Sequence, residues 1–415
     1  MAATRTSTTK ACTSSLWGWW PHLLLMIPGL VAVLLFRIDG LDPAPLPDYH
    51  SWSSSLPVPA RNDHVLRGVE RLADGLVAGP EDLAPSANGH HLYTGCADGW
   101  IKRLKLSETV ESVSVENWTY VGGRPIGLAI GADDQLIVAD AFKGLLKVTK
   151  DGGVELLTDE AEGVKFGLTN CVGIAGNGVI YFTDSSYKYK LGEHKMEFLE
   201  GNPHGRLMSF DPATKQTQVL VRDLYFANGV ALSAGHDFLV FCETILRQTR
   251  SLQVVLVSPG HPFAHVAPVK PRGMIDVNCW RRCRKYHIQG DKRGTVDDFI
   301  DNLPGFPDNI HFDGEGLFWI ALPSGRTFPL YLMSRYPFLR KVLAILERYV
   351  KVPEMSCKSG VLGVSLEGKP VALYTDPALS GVTSGVKIGR HLYFGSLVKD
   401  YISRLDLAIH PACTM

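Results

Sequence analysis

The sequence predicts an all-β protein, a six-bladed β-propeller with an N-terminal transmembrane signal anchor. Three observations carry this reading. One segment pattern occurs six times, most copies are followed by further strand-like runs, and a single long uncharged stretch lies near the N-terminus.

The repeated pattern is plainest at residues 306–322, FPDNIHFDGEGLFWIAL. A polar pair, Pro307-Asp308, precedes a short apolar strand, then a turn at Asp313-Gly314-Glu315-Gly316, then an aromatic strand. Asp-Gly between two strands is a strong hairpin signal. Copies stand at residues 79–95, 124–140, 168–184, 226–243, 306–322 and 382–395. With Tyr93, Val138, Tyr181, Val240, Trp319 and Tyr393 equivalent, the intervals are 45, 43, 59, 79 and 74 residues. Further strand-like runs follow at 100–104, 144–149, 206–210 and 401–407. A hairpin extended by antiparallel strands is a blade, and six blades close a ring without long exposed edges. A β-sandwich is the rival, but six copies exceed what sandwich turn spacing needs. The propeller is assigned to residues 64–415, with 64–72 joining the last blade to close the ring.

Residues 1–15 carry Arg5 and Lys10 and no acid. Residues 16–36 are uncharged, with Trp17, Trp19 and Trp20 at the leading edge, and 21 residues suffice to span a bilayer. The run exceeds a usual signal-peptide core, and no Ala-x-Ala site follows closely. The reading is a cytosolic tail (1–15), an anchor (16–36), a proline- and serine-rich linker (37–63) and a propeller on the far side of the membrane. That places the chain in the endomembrane system: endoplasmic reticulum, vacuole or cell surface. Asn117-Trp118-Thr119 is then a glycosylation acceptor on the modified side.

The 42 basic and 42 acidic residues balance, and no basic run appears, so no nucleic-acid partner is expected. Eight cysteines include no CxxC pair, and Cys279 and Cys283 lack a second ligand pair, which excludes zinc. Cys96, Cys171 and Cys242 fall in blade strands and read as buried free thiols. Residues 248–281 hold four prolines and no clear period. Without these 34 residues the 79-residue interval becomes 45, so they read as an irregular insert dispensable to the fold.

Eleven or twelve residues before five of the anchors stand Glu81, Ile126, Asn170, Asn228 and Asp308, with Ser384 in the shorter sixth copy. The first strand of each blade lines the channel, so equivalent positions converge on the axis. Glu81, Asn170, Asn228 and Asp308 offer two carboxylates and two amides, a donor set for one Ca²⁺ on the axis. The bland alternative is a wet polar channel in which Asn-Gly and Asp-Asn only form turns.

The segments GPEDL, GRPIGLAI, YFTDSS, FANGV and NLPGFPDNI resemble the strictosidine synthase-like and adipocyte plasma membrane-associated protein family. The resemblance runs from about residue 72 to 407, interrupted by the insert. The wider superfamily includes paraoxonases and gluconolactonases. It implies a central calcium held by a Glu, Asn, Asn, Asp set, which falls on Glu81, Asn170, Asn228 and Asp308, with Asn309 as an added polar position. Two departures matter. Cys171 stands where paraoxonases place an Asp for a second calcium, so a second ion is not expected. Thr383 stands where the synthase has its catalytic Glu, and Thr is no general acid or base.

The functional expectation is a membrane-anchored calcium-dependent ester or lactone hydrolase acting on a small molecule. The alternatives are Pictet–Spengler condensation in alkaloid biosynthesis and a non-catalytic binding propeller. No nucleophile elbow or ordered triad stands out. His90, His91, His204 and His311 read as surface or turn residues, so no catalytic side chain is assigned.

Overall fold

The computed structural model describes residues 26–30, 32–33, 41, 43–44, 56–131, 134–245, 281–350 and 358–414. Short apolar runs cut by Gly and Asp turns form hairpins. In chain order, β1 (Ala60–Asn62) and β2 (Val69–Leu72) come first. Blade one is β3 (Leu83–Pro85), β4 (His91–Gly95), β5 (Trp100–Lys105) and β6 (Ser114–Tyr120). Blade two is β7 (Pro125–Ile130), β8 (Leu136–Asp140), β9 (Gly144–Val148) and β10 (Val154–Thr158). A small pair, β11 (Glu160–Ala161) and β12 (Val164–Lys165), follows. Blade three is β13 (Thr169–Ile174), β14 (Ile180–Asp184), β15 (Gly205–Asp211) and β16 (Gln216–Leu224). Blade four is β17 (Ala227–Leu232), β18 (Phe238–Glu243), β19 (Arg282–His287) and β20 (Val296–Ile300). Blade five is β21 (Ile310–Phe312), β22 (Leu317–Leu322), β23 (Gly360–Ser365) and β24 (Pro370–Thr375). Blade six is β25 (Val382–Ile388), β26 (His391–Ser396), β27 (Ile402–Asp406) and, from the N-terminus, β2.

β2 runs antiparallel to β27, with Leu72 opposite Ile402, so the N-terminal strand closes the ring as expected. β1 pairs in parallel with β24 and antiparallel with β28 (Cys413–Thr414), widening blade five. Residues 60–62, assigned to the linker from sequence, therefore belong to the propeller. Pro57 and Pro59 mask the strand pattern, while Val58 is buried in the core between blades four and five. The six anchor positions all lie in second strands. They face Ala84, Leu128, Gly173, Ala231, His311 and Val386 of the first strands. The core fills the wedges between blades, as where Val240 and Ile310 meet Phe318 and Leu362. Fully burying such a side chain contributes roughly 1.5–3 kcal/mol.

The long intervals have one cause: extra chain between a second and a third strand. Blade three inserts helix α1 (His194–Glu200) between β14 and β15. Blade five inserts α2 (Phe328–Arg335) and α3 (Pro337–Glu347) between β22 and β23. Second-to-third connections all leave from the same face of a propeller, so both helical insertions cap one mouth, and α1 packs on α3.

In blade four, β18 pairs directly with β19, so the intervening residues leave the ladder intact. Cys242 lies opposite Cys283 and is disulfide-bonded to it. This corrects the reading of Cys242 as a free thiol. Its partner stands 41 residues away in sequence and comes into register only in the hairpin. Cys96 and Cys171 are buried free thiols. Arg281, assigned to the insert, is buried, with its guanidinium 4.7 Å from the Phe306 ring centroid, so the fold resumes at 281. Residues 246–280 lie outside the described residues, as do the expected tail 1–15 and most of the expected anchor 16–36. Among the described residues no helix is long and apolar enough to cross a membrane.

Candidate active site on the propeller axis

The inner strands bulge where they reach the axis. Register breaks between Pro125 and Gly127, Thr169 and Val172, Ala227 and Val230, and Val382 and Ser384. A bulge re-aims a side chain, and here it turns one residue per strand toward the channel mouth. The Asn228-Gly229 pair is mid-strand and not a turn. A Cβ on Gly229 would sit 2.4 Å from the Asp308 carbonyl oxygen, so only glycine allows blades four and five to approach this closely.

Glu81, Ile126, Asn170, Asn228, Asp308 and Thr383 form the floor of a cavity of about 320 Å³. The four expected donors are thus brought together. The sixth position is Thr383 and not Ser384, because the bulge in β25 shifts the register by one. Thr383 Oγ1 donates to the Glu81 carbonyl at 2.7 Å.

Each amide is held by a neighbour. Asn170 Nδ2 donates to Ser185 Oγ at 2.8 Å, and Ser185 Oγ donates to the Ala227 carbonyl at 2.6 Å. Asn228 Nδ2 donates to Thr244 Oγ1 at 3.2 Å, and Thr244 Oγ1 donates to the Pro307 carbonyl at 2.7 Å. Asn309 Nδ2 donates to Glu81 Oε2 at 3.1 Å. The Oδ1 atoms of Asn170, Asn228 and Asn309 are buried without a partner. Buried acceptors without donors are rare and call for an explanation.

The carboxyls show matching strain. Burial, then the charges of Asp308 and Asp82, push Glu81 well above the usual carboxylate range, against the pull of Arg124 and the Asn309 hydrogen bond. Burial pushes Asp308 up to about 7, with Asp82 adding and Asn228 opposing. Arg124 is buried, donates to the Gly79 carbonyl at 2.9 Å and is held below its ordinary value by burial. Two carboxyls held toward the protonated form, facing orphaned amide oxygens, make a donor set short of positive charge. Among the described residues no group of three or more His, Cys, Asp or Glu side chains is placed to hold a metal ion. The side chains on the axial floor offer two carboxyls and amide oxygens.

The layer beneath is built differently. Asp82 accepts from Leu83 N at 2.8 Å, Leu128 N at 2.9 Å and Ser384 Oγ at 3.0 Å, and His311 Nε2 lies 2.8 Å from it. Cys171 occupies this layer with its thiol pushed up by burial. His311, read from sequence as a turn residue, is the side chain beside Asp82.

The walls are apolar: Leu168, Phe198, Phe226, Phe306, Met333 and Leu343. Sequence reasoning missed these because they come from the cap helices and blade junctions. It also missed His194 on α1, which lines the cavity. His194 Nδ1 lies 2.5 Å from the Leu191 carbonyl, an oxygen that only accepts, so Nδ1 is the donor of that hydrogen bond. Glu197 anchors α1, accepting from Ser186 Oγ at 2.7 Å and meeting His204 Nδ1 at 2.9 Å.

Six four-stranded blades around one axis, with an apolar capped cavity at one mouth, make the chain a six-bladed β-propeller. The fold matches a gluconolactonase of Xanthomonas campestris, with a TM-score of 0.53, 15% identity, and 89% of this chain and 99% of that chain covered. It also matches regucalcin, a calcium-binding protein of Agrobacterium tumefaciens, with a TM-score of 0.50 and 13% identity over 88% and 97% of the two chains. At these identities the likeness is one of fold. Within that class the sequence is more specific. Residues 60–104 match the model of the strictosidine synthase-like N-terminal family and residues 170–253 that of strictosidine synthase. The chain is 46% identical to Protein STRICTOSIDINE SYNTHASE-LIKE 6 of Arabidopsis thaliana, covering 94% of this chain and 95% of that one. It is 32% identical to the adipocyte plasma membrane-associated protein of Bos taurus over 92% and 88%. The chain belongs to the strictosidine synthase-like family.

Proposed function

We propose that this protein is a membrane-anchored hydrolase of carboxylic esters or lactones with an apolar body, dependent on one Ca²⁺ on the axis. The observation that carries the reading is the set of three orphaned amide oxygens beside two buried carboxyls. Glu81, Asn170, Asn228 and Asp308, with Asn309 beside them, would hold the cation. When bound, it supplies a Lewis acid that polarises a substrate carbonyl.

The chain's own residues supply the rest. The apolar walls take the substrate's body and exclude bulk water. Ser185 and Thr244 fix the two amides, so the floor is preorganised before substrate arrives. We assign the proton transfer to His194, which lines the wall: it accepts a proton from water as the water oxygen bonds to the carbonyl carbon, and it returns that proton to the alkoxide as the ester C–O bond breaks. Thr383 brings no carboxyl to the place of a synthase-type Glu, which disfavours amine–aldehyde condensation. The membrane reading draws on the uncharged run 16–36 and on the membrane-associated relatives.

The test is calcium titration of the purified chain, followed by melting and by turnover of an aryl-ester and lactone panel. Calcium should raise the melting temperature, by about 2.7 kcal/mol of stabilisation at a hundredfold excess over Kd. Glu81→Gln should weaken that effect and the turnover together. If calcium and chelator change neither melting nor hydrolysis, the axial floor is a wet channel and a binding propeller replaces the hydrolase.

A further inference from the structure

The mouth of the cavity carries an apolar outer surface that the propeller fold does not need. On α3, Phe338, Val342 and Leu346 follow one another at four-residue spacing and are 54%, 41% and 47% exposed. Four-residue spacing puts them on one helix face. Leu343 and Glu347, on the other side of the same helix, line the cavity, and Ala344 is buried. Phe328 at the start of α2 and Tyr349 just past α3 are 67% and 73% exposed. The apolar exposure extends around the same rim. Phe142, Tyr187 and Val398 are exposed, and each lies in a second-to-third connection of blades two, three and six. The opposite face differs. Among the described residues its turns expose one large apolar side chain, Ile409. Clustered exposed apolar side chains of this kind mark surfaces that meet a partner, a ligand or a membrane.

A second observation says what lies against this surface. The chain just after the uncharged run is tied to the cap. Leu41 and Pro43 are buried, and Ala44 N donates to the Glu200 carbonyl at the end of α1 at 2.9 Å. The Arg340 guanidinium of α3 donates to the Ala44, Leu199 and Glu200 carbonyls. Only residues 37–40 separate the run 16–36 from Leu41. Five extended steps span at most about 18 Å, so the run must end within that distance of the cap. Of that run, Met26, Ile27, Leu30 and Val33 are described, in helical conformation and exposed. An exposed apolar stripe along one face of a helix matches the chemistry of a helix lying in a bilayer interface.

We propose that the cap face formed by α2, α3 and the rim lies on the bilayer that holds the anchor, with the cavity mouth opening toward the lipid. Substrate then enters from the membrane as an amphiphile, its apolar body against the walls and its ester head on the axial floor. This rests on the anchor reading given above.

The test uses the full chain in mixed phosphatidylcholine–phosphatidylglycerol vesicles. An environment-sensitive fluorescent amino acid is encoded at position 346, or at position 213 on the opposite face. Nitroxide-labelled phosphatidylcholine should quench the probe at 346 severalfold more than the probe at 213. Val342→Asp should abolish that difference without lowering the melting temperature in detergent, because Val342 faces outward. Chain that floats with vesicles but is quenched equally at both positions overturns the docked cap and leaves the anchor standing. Chain that does not float overturns the anchor and the docked cap with it. Neither result bears on hydrolysis, which is measured separately.

Discussion

Asp308→Asn should stabilise the calcium-free protein and destabilise the calcium-loaded one. Burial raises Asp308 from an ordinary 3.8 to about 7. A group whose folded pKa is raised binds its proton more tightly in the folded state. Its contribution is therefore fully present below about pH 4 and is lost as pH rises through about 7. At about 1.4 kcal/mol per tenfold, the ionised carboxylate costs on the order of 4 kcal/mol above pH 7. For a ring of this size that is a melting shift of about 5 °C, and Asn at this position removes it without changing shape. In chelator at about pH 8, the variant should melt above the wild type, and the gap should close toward pH 4. In calcium the order should reverse, because the variant has lost a charged ligand while the wild type gains binding energy. The assay is a set of melting curves across pH with chelator and with calcium. A variant that matches the wild type in chelator at high pH refutes the argument that this carboxylate is buried at a cost. A variant that keeps the full calcium shift refutes its place as a ligand.

Three further outcomes follow from other parts of the molecule. The Cys242–Cys283 disulfide closes a 41-residue separation, for which chain entropy gives about 4 kcal/mol. Replacing both cysteines by alanine should cost that much in the full chain and about 1.5 kcal/mol less in a chain lacking 248–280, measured by denaturant unfolding. Equal costs would refute the loop-entropy account of this disulfide. His194→Gln should lower turnover about a hundredfold or more while leaving the calcium-induced melting shift unchanged, so unaltered turnover removes His194 from the reaction. Asn117 lies exposed on β6, the outer strand of blade one, so glycosidase should shift the full chain and Asn117→Gln should abolish the shift. A band insensitive to glycosidase removes Asn117 as a glycan acceptor.

Much of the fold was legible because a blade is a local object. The hairpin signal, the alternating strand and the anchor residue all lie within about twenty residues, and each copy restates them. The four axial donors were legible for the same reason, since one position in a repeat becomes one place in a ring. Where the repeat is locally distorted, counting fails. The β25 bulge exchanged Ser384 for Thr383, and prolines hid β1.

The sequence by itself determined the propeller, its closure by an N-terminal strand and the four oxygen donors on its axis, because all three follow from pattern and period. Only the tertiary structure decided the pairing of Cys242 with Cys283, the orphaned amide oxygens, the place of His194 in the cavity wall and the capped apolar mouth. These depend on residues far apart in the chain meeting at fixed distances. Insertions without a repeat leave no period from which such meetings can be read.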